Sequence, residues 1–199
     1  LRALLRAGAE EHNIKIMLPL VTSLEEIRQA RTLLEQCKAE LETEGLPYDK
    51  DIALGIMVET PAAALIADLL AQESDFFSIG TNDLTQYTMA VDRGNAQVEK
   101  LYTTFHPAVL RSIRSVIQAA HEAKIPVGMC GEAAADPCLI PLLMNWGLDE
   151  FSVGVSSVLA TRARIHKWRG NETAQVAQEA MGLSTAAGIQ GYLKANARE

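Results

Sequence analysis

The sequence predicts an α/β fold built on a parallel sheet, and three observations predict it. Short runs rich in Ile, Val, Phe and Met alternate with longer segments whose apolar residues recur at steps of three and four. The best of these runs is near-continuously apolar, as a strand covered on both faces is. The composition, 48% hydrophobic and 22% charged over 199 residues, suits one globular domain with a sizeable core.

The elements follow in order. Leu1, Leu4 and Leu5 start the chain inside a helix-like pattern, with no Met, which suggests a piece of a longer polypeptide. Ile14 to Leu18 reads as a strand closed by Pro19. Ser23 and Glu26 form a capping-box signature, and Ile27, Ala30, Leu34, Cys37 and Leu41 give the helix behind it one apolar face. Gly45 and Pro47 stop that helix. Ile52 to Val58 is the second strand, and Thr60 with Pro61 opens a helix through Ala62 to Gln72. Phe76 to Ile79 is the third strand, ended by Gly80, and residues 81 to 95 read as a polar stretch. Pro107 opens a helix with Val109, Ile113, Val116, Ile117 and Ala120 on one side. Val127 to Cys130 is the fourth strand, Pro137 to Trp146 a helix, and Glu150 to Val153 a short fifth strand. Helical segments at 158–168, 173–181 and near Ile189 complete the chain. Five strands fit either an open α/β sheet or the last five-eighths of a (β/α)8 barrel, which typically needs about 250 residues.

Charge and cysteines bound the function class. A net charge of −7, spread along the chain, argues against a nucleic-acid binder. No apolar run reaches the roughly 18 residues of a membrane span, and no signal peptide opens the chain. Three cysteines make no disulfide framework, so a reducing, cytoplasmic compartment is expected.

The informative polar residues stand just beyond the strands, where α/β folds build their sites. Glu59 follows Val58, Asn82 and Asp83 follow Gly80-Thr81, and Cys130 and Glu132 follow Val127 to Met129. Glu59 with Asp83 supplies two hard oxygens, which suits Mg2+. Each has a plainer reading, Glu59 at a helix N-terminus for its dipole and Asp83 capping a turn, but together on one rim they favour the metal. Asn82 is a neutral donor beside Asp83, or a turn residue. Arg93, in a Gly-containing loop, can hold a carboxylate or phosphate, or pair with Asp92 or another neighbour. Cys130 is a small buried hydrophobe, or a proton donor or nucleophile. Cys37 and Cys138 read as structural, and the cysteines lack zinc-ligand spacing. None of the four histidines follows a strand. The basic cluster Arg162, Arg164, His166, Lys167 and Arg169 reads as a solvated helix face.

Four segments then resemble a known family in their wording and order. Gly55-Ile56-Met57-Val58-Glu59-Thr60-Pro61-Ala62-Ala63 resembles a motif of the phosphoenolpyruvate-utilising enzymes, as does Phe76 through Tyr87 (FFSIGTNDLTQY). Ala90 to Asn95 and Gly128 to Glu132 resemble two more. Tyr87 and Val91-Asp92-Arg93-Gly94-Asn95 are most similar to the Enzyme I branch, which serves the bacterial phosphotransferase system.

The resemblance implies a TIM barrel of the phosphoenolpyruvate/pyruvate type, with residues 1–199 holding only about its last five βα units. It implies Mg2+ at Glu59 and Asp83, phosphoenolpyruvate held by Asn82, Asp83 and Arg93, and Cys130 as the proton donor at the methylene carbon of the enolate. It implies partners as well: an N-terminal phosphohistidine domain of the same polypeptide, the carrier HPr, and a second copy in a homodimer. The family's phosphate-binding arginines of earlier strands and its phosphoryl-accepting histidine lie in regions this sequence does not contain. The competing expectations are a Mg2+-dependent, pyruvate-forming carbon–carbon lyase of the same superfamily and a non-catalytic ligand-binding or dimerisation fragment.

Overall fold

The computed structural model describes residues 1–198. Five parallel strands, β1 (Lys15–Leu18), β2 (Ala53–Val58), β3 (Phe77–Gly80), β4 (Val127–Cys130) and β5 (Glu150–Phe151), lie side by side in sequence order. A sheet that never reverses its order and crosses over with one hand carries its helices on one face. That is the winding of a (β/α) barrel, and it excludes the doubly wound alternative, whose order must switch.

The helices are α1 (Arg2–Ala7), α2 (Leu24–Thr43), α3 (Pro61–Leu65), α4 (Ala67–Ala71), α5 (Thr81–Met89), α6 (Pro107–Glu122), α7 (Ile140–Trp146), α8 (Val158–His166), α9 (Gly170–Met181) and α10 (Ala186–Asn196). Every second strand residue meets them: Ile16, Leu54, Ile56, Val58, Phe77, Ile79, Val127 and Met129 are all buried. The larger core lies under α3 to α10. A smaller one gathers Leu5, Ile16, Leu34, Leu41, Ile52 and Leu54 beneath α1 and α2.

The alternate residues face the other way, where no helix lies. Lys15, Met17 and Glu150 are exposed there and Ser78, Gly128 and Cys130 half-buried. β2 is therefore apolar on both faces but covered by helices on one. On its open side Gly55 has no side chain because Phe76 lies over it: a Cβ would stand 2.5 Å from that ring.

Local signals behave as the sequence implies in several places. The Glu26 carboxylate accepts from the Thr22 and Ser23 N–H groups at 2.6 and 2.9 Å, closing the first turn of α2. The Thr60 hydroxyl accepts from the Ala63 N–H and donates to the Val21 carbonyl. Four expectations need correction. The helix read through 62–72 is two short ones, broken at β-branched Ile66 (φ −112°). The polar stretch after Gly80 begins with a helix, α5, with no intervening loop. The helix read from Pro137 starts at Ile140, because the backbone first makes a turn. The fifth strand is paired only over Glu150–Phe151.

Candidate active site

The site is the rim formed by the C-terminal ends of β2, β3 and β4. Glu59 leaves β2 with only 4% of its surface exposed. Its Oε1 accepts from the Leu20 N–H at 2.8 Å, which ties the loop after β1 to the end of β2. The carboxylate lies against Gly80: a Cβ there would stand 2.6 Å from Oε2 and 2.8 Å from the Glu59 Cβ. Gly80 thus ends β3 with the one residue type that leaves room for Glu59.

Because β3 runs straight into α5, Asn82 and Asp83 stand on the first turn of a helix. The α5 dipole favours the Asp83 charge there. Arg93 approaches from the following loop, its Nη1 3.4 Å from Asp83 Oδ1. Its partner is therefore the other candidate carboxylate and not Asp92, whose Oδ1 instead accepts from the Gly94 N–H. The Arg93 N–H donates to Gln86 Oε1, which anchors the loop on α5.

The neighbouring charges act on Glu59. Burial pushes the Glu59 carboxyl above its usual range, opposed by the Leu20 N–H. The Asp83 charge pushes it further up and Arg93 pulls it down. Glu59, Asp83 and Arg93 thus share one field. Tyr102 belongs to the same neighbourhood. Burial raises its phenol, Arg93 lowers it, and its hydroxyl donates to the Asn82 carbonyl at 3.2 Å.

Cys130 ends β4 beside α5. Its carbonyl accepts from the Thr81 hydroxyl at 3.0 Å, and Asn82 Oδ1 accepts from the Glu132 N–H at 3.3 Å. The Asn82 side-chain NH2 is left as a donor. Gly131 turns the chain at φ +91°, and a Cβ there would stand 2.5 Å from Thr81 Oγ1. The sulfur contacts Ser78 and the Ile79 carbonyl.

The structure thus brings Glu59, Asn82, Asp83, Arg93 and Cys130 to one rim. Sequence reasoning missed Thr81, Tyr102, Gly80 and Ser78. Tyr102 carries no periodic signal, whereas Ser78, alone polar in an apolar strand, marks the face that no helix covers. The other singled-out residues lie elsewhere. His12 pairs with Asp49, His121 with Asp149, and His106 caps α6. Cys37 packs against the smaller core and Cys138 is buried in the larger one. Arg162, His166, Lys167 and Arg169 are exposed.

The donor set suits a hard divalent ion. Among the described residues no three His, Cys, Asp or Glu side chains converge as a closed metal cage. Two carboxylates, one nearly buried and its charge made costlier by the other, fit an ion that leaves its remaining positions to substrate and water. Zinc sites are built mainly on His or Cys ligands, and none accompanies these two carboxylates among the described residues.

Comparison with known proteins places this rim in context. Residues 1–169 match the family described as PEP-utilising enzyme, PEP-binding domain. The phosphoenolpyruvate-protein phosphotransferase of Geobacillus stearothermophilus is 48% identical over 194 residues, 98% of this chain and 33% of that protein. That of Listeria monocytogenes is 50% identical over 186 residues, 94% of this chain and 32% of the relative. That of Bacillus subtilis is 45% identical over 194 residues, 98% and 34% respectively. The chain spans about a third of the length of these relatives. Among solved structures, a citrate lyase from Burkholderia xenovorans superposes with a TM-score of 0.56 at 14% identity, over 90% of this chain and 61% of that one. At that identity the likeness is one of fold.

Proposed function

The chain belongs to the PEP-utilising enzymes, and from that premise we propose that it is the phosphoenolpyruvate-binding, catalytic part of a phosphoenolpyruvate–protein phosphotransferase. The observation that carries the reading is the shared field of Glu59, Asp83 and Arg93 on a rim that Thr81 ties to Cys130 and Asn82 to Glu132. The names of the relatives, which are transferases of this kind, support it.

Phosphoenolpyruvate is a small polyanion, and phosphoryl transfer from it depends on positioning and on offsetting charge. Glu59 and Asp83 would hold Mg2+, which when bound supplies positive charge at the substrate's oxygens. Arg93 offers a fixed, bidentate cation and Asn82 a neutral donor from the same turn as Asp83. The phosphoryl group leaves for a histidine on another domain of the same polypeptide, and from there for HPr. Enolpyruvate remains. The Cys130 S–H bond then breaks, its proton forms a C–H bond at C3 with the enolate π pair, and the enolate oxygen becomes the keto carbonyl of pyruvate. A thiol, ordinarily protonated at neutral pH, is a suitable acid for carbon.

In the whole protein the three further strands and the histidine domain come from the remaining two-thirds of the polypeptide. The assembled enzyme is a cytoplasmic homodimer. The lyase reading has only the likeness of fold behind it.

Titration calorimetry of this chain with phosphoenolpyruvate in Mg2+ tests the proposal. We expect saturable binding that Glu59→Ala abolishes. A folded chain that binds equally well with and without Glu59 would overturn the metal assignment, and one that binds nothing would overturn the reading of this chain as the part that holds phosphoenolpyruvate.

A further inference from the structure

Ser78 and Cys130 are diagonal neighbours on the sheet face that no helix covers. Ser78 pairs with Gly128 and Gly80 with Cys130 in the β3–β4 ladder. Both cross-strand partners are glycines, so no side chain stands between the hydroxyl and the thiol. The Ser78 hydroxyl donates to Cys130 Sγ at 3.6 Å, and the thiol donates to the Ile79 carbonyl at 3.7 Å. The sulfur is therefore held from both sides, as acceptor and as donor. Both residues border an open hollow of about 270 Å3 whose walls include Lys15, Glu150 and Ser152.

We propose that Ser78 is a positioning residue for Cys130: its O–H holds the sulfur in place for proton delivery and stabilises the thiolate that delivery leaves. This rests on the reading of Cys130 as the acid at C3. When the S–H proton goes to carbon, the bonding pair stays on sulfur as a full negative charge. A hydroxyl already aimed at that sulfur meets the charge without reorganising, and a hydrogen bond to an ion is roughly twice as strong as one to a neutral group. Water in the hollow then returns a proton to sulfur. The Ile79 carbonyl, an acceptor only, can orient the thiol but cannot stabilise the thiolate.

The test is the rate at which iodoacetamide alkylates Cys130 at neutral pH, resolved by mass spectrometry, with Cys37 as internal reference. The chain is compared with Ser78→Ala and Ser78→Thr. Losing one hydrogen bond lowers the thiolate population, and the freed thiolate's greater nucleophilicity offsets part of that. The net expectation for Ser78→Ala is a slowing of about two- to four-fold relative to Cys37. Ser78→Thr, which keeps a hydroxyl, restores the rate. A structural role predicts otherwise, since the smaller Ala only opens access to the sulfur. An unchanged or faster rate in Ser78→Ala, or equal slowing in both variants with Cys37 unaltered, would overturn the proposal. A changed Cys37 rate would show that Ser78 holds the fold instead, which overturns it too. The acid role of Cys130 is tested separately, by solvent-proton exchange into the pyruvate methyl group. If Cys130→Ala leaves that exchange intact, the acid reading fails while the alkylation result stands.

Discussion

Gly80 is a tight point of the site, and its neighbours make its substitution informative. Its φ of −85° suits any residue, so the consequence of Gly80→Ala is steric alone. A Cβ 2.6 Å from Glu59 Oε2 must push the carboxylate away from its bond to Leu20. We expect a loss of about 1–3 kcal/mol in urea unfolding, together with loss of Mg2+-dependent substrate binding. Gly131→Ala should cost more, because a positive φ adds to a clash with Thr81. Equal stability of the two variants in parallel denaturant titrations would contradict this ordering. The metal assignment has its own residue-scale consequence. A ligand that binds only the folded state raises its melting temperature, so Mn2+ should raise that of the chain and leave that of Glu59→Ala unmoved. At this scale the sequence was legible mostly where chemistry needs a charged or sulfur-bearing side chain. Glu59, Asp83 and Cys130 stand out after apolar strands, whereas Arg93, in a Gly-containing loop, left a plain salt bridge equally open. Thr81 and Tyr102 act through a hydroxyl and a packing position, and such residue types are common anywhere in a chain.

Among the elements, α5 is the one that local signals hide. Its sequence, TNDLTQYTM, has three Thr, an Asn and an Asp, all poor helix formers, and Gly80 offers no capping side chain. Tertiary packing makes the helix: Leu84 and Thr85 are fully buried under the sheet's helical layer. α2 shows the opposite case, since a capping box, a regular apolar face and a Gly at φ +67° just past its end make it readable outright. α5 ends on Ala90 in the left-handed conformation, φ +52°, a place that favours Gly. Ala90→Gly should therefore stabilise the chain by about 0.5–1 kcal/mol, read as a higher urea midpoint at unchanged slope. α1 depends on a different device. The Asp49 N–H donates to the Leu5 carbonyl, and the nearly buried Asp49 carboxylate accepts from His12 at 2.9 Å. That hydrogen bond holds the Asp49 carboxyl below its usual range, against the opposing effect of burial. A carboxylate whose pKa falls on folding stabilises the protein above its unfolded pKa, and the benefit disappears as pH drops through the folded value. His12→Ala shrinks that benefit, so acid unfolding followed by circular dichroism should begin at a higher pH than in the parent chain. Coincident acid transitions would show that His12 contributes nothing.

For the molecule as a whole, the governing fact is a sheet with two unpaired edges and one uncovered face. β1 and β5 each pair on one side only. An unpaired edge is a template for another strand, and natural proteins blunt such edges by keeping them short and charged. Here β1 has four residues, β5 has two, and Lys15 and Glu150 stand at these edges on the open face. A closed barrel is normally filled by Val, Ile and Leu. Two charges, a Ser and two Gly among the inward positions of β1, β3, β4 and β5 are a poor apolar core but a tolerable wet surface. Strict strand–helix alternation made the parallel sheet legible but left an open sheet and a barrel both standing, and the family resemblance chose the barrel. The polar interior was not legible, because an alternating face declares itself only once the register is known. The charges should therefore guard this chain against open-ended association. Lys15 lies over the Phe76 ring at 5.4 Å, so replacing it uncovers an aromatic face as well. In sedimentation velocity across a concentration series we expect the parent chain to stop at a discrete species, monomer or dimer. Lys15→Val combined with Glu150→Val should add species larger than a dimer, in proportion to concentration. Identical distributions for the two proteins would mean that edge length alone limits association and that Lys15 and Glu150 guard nothing.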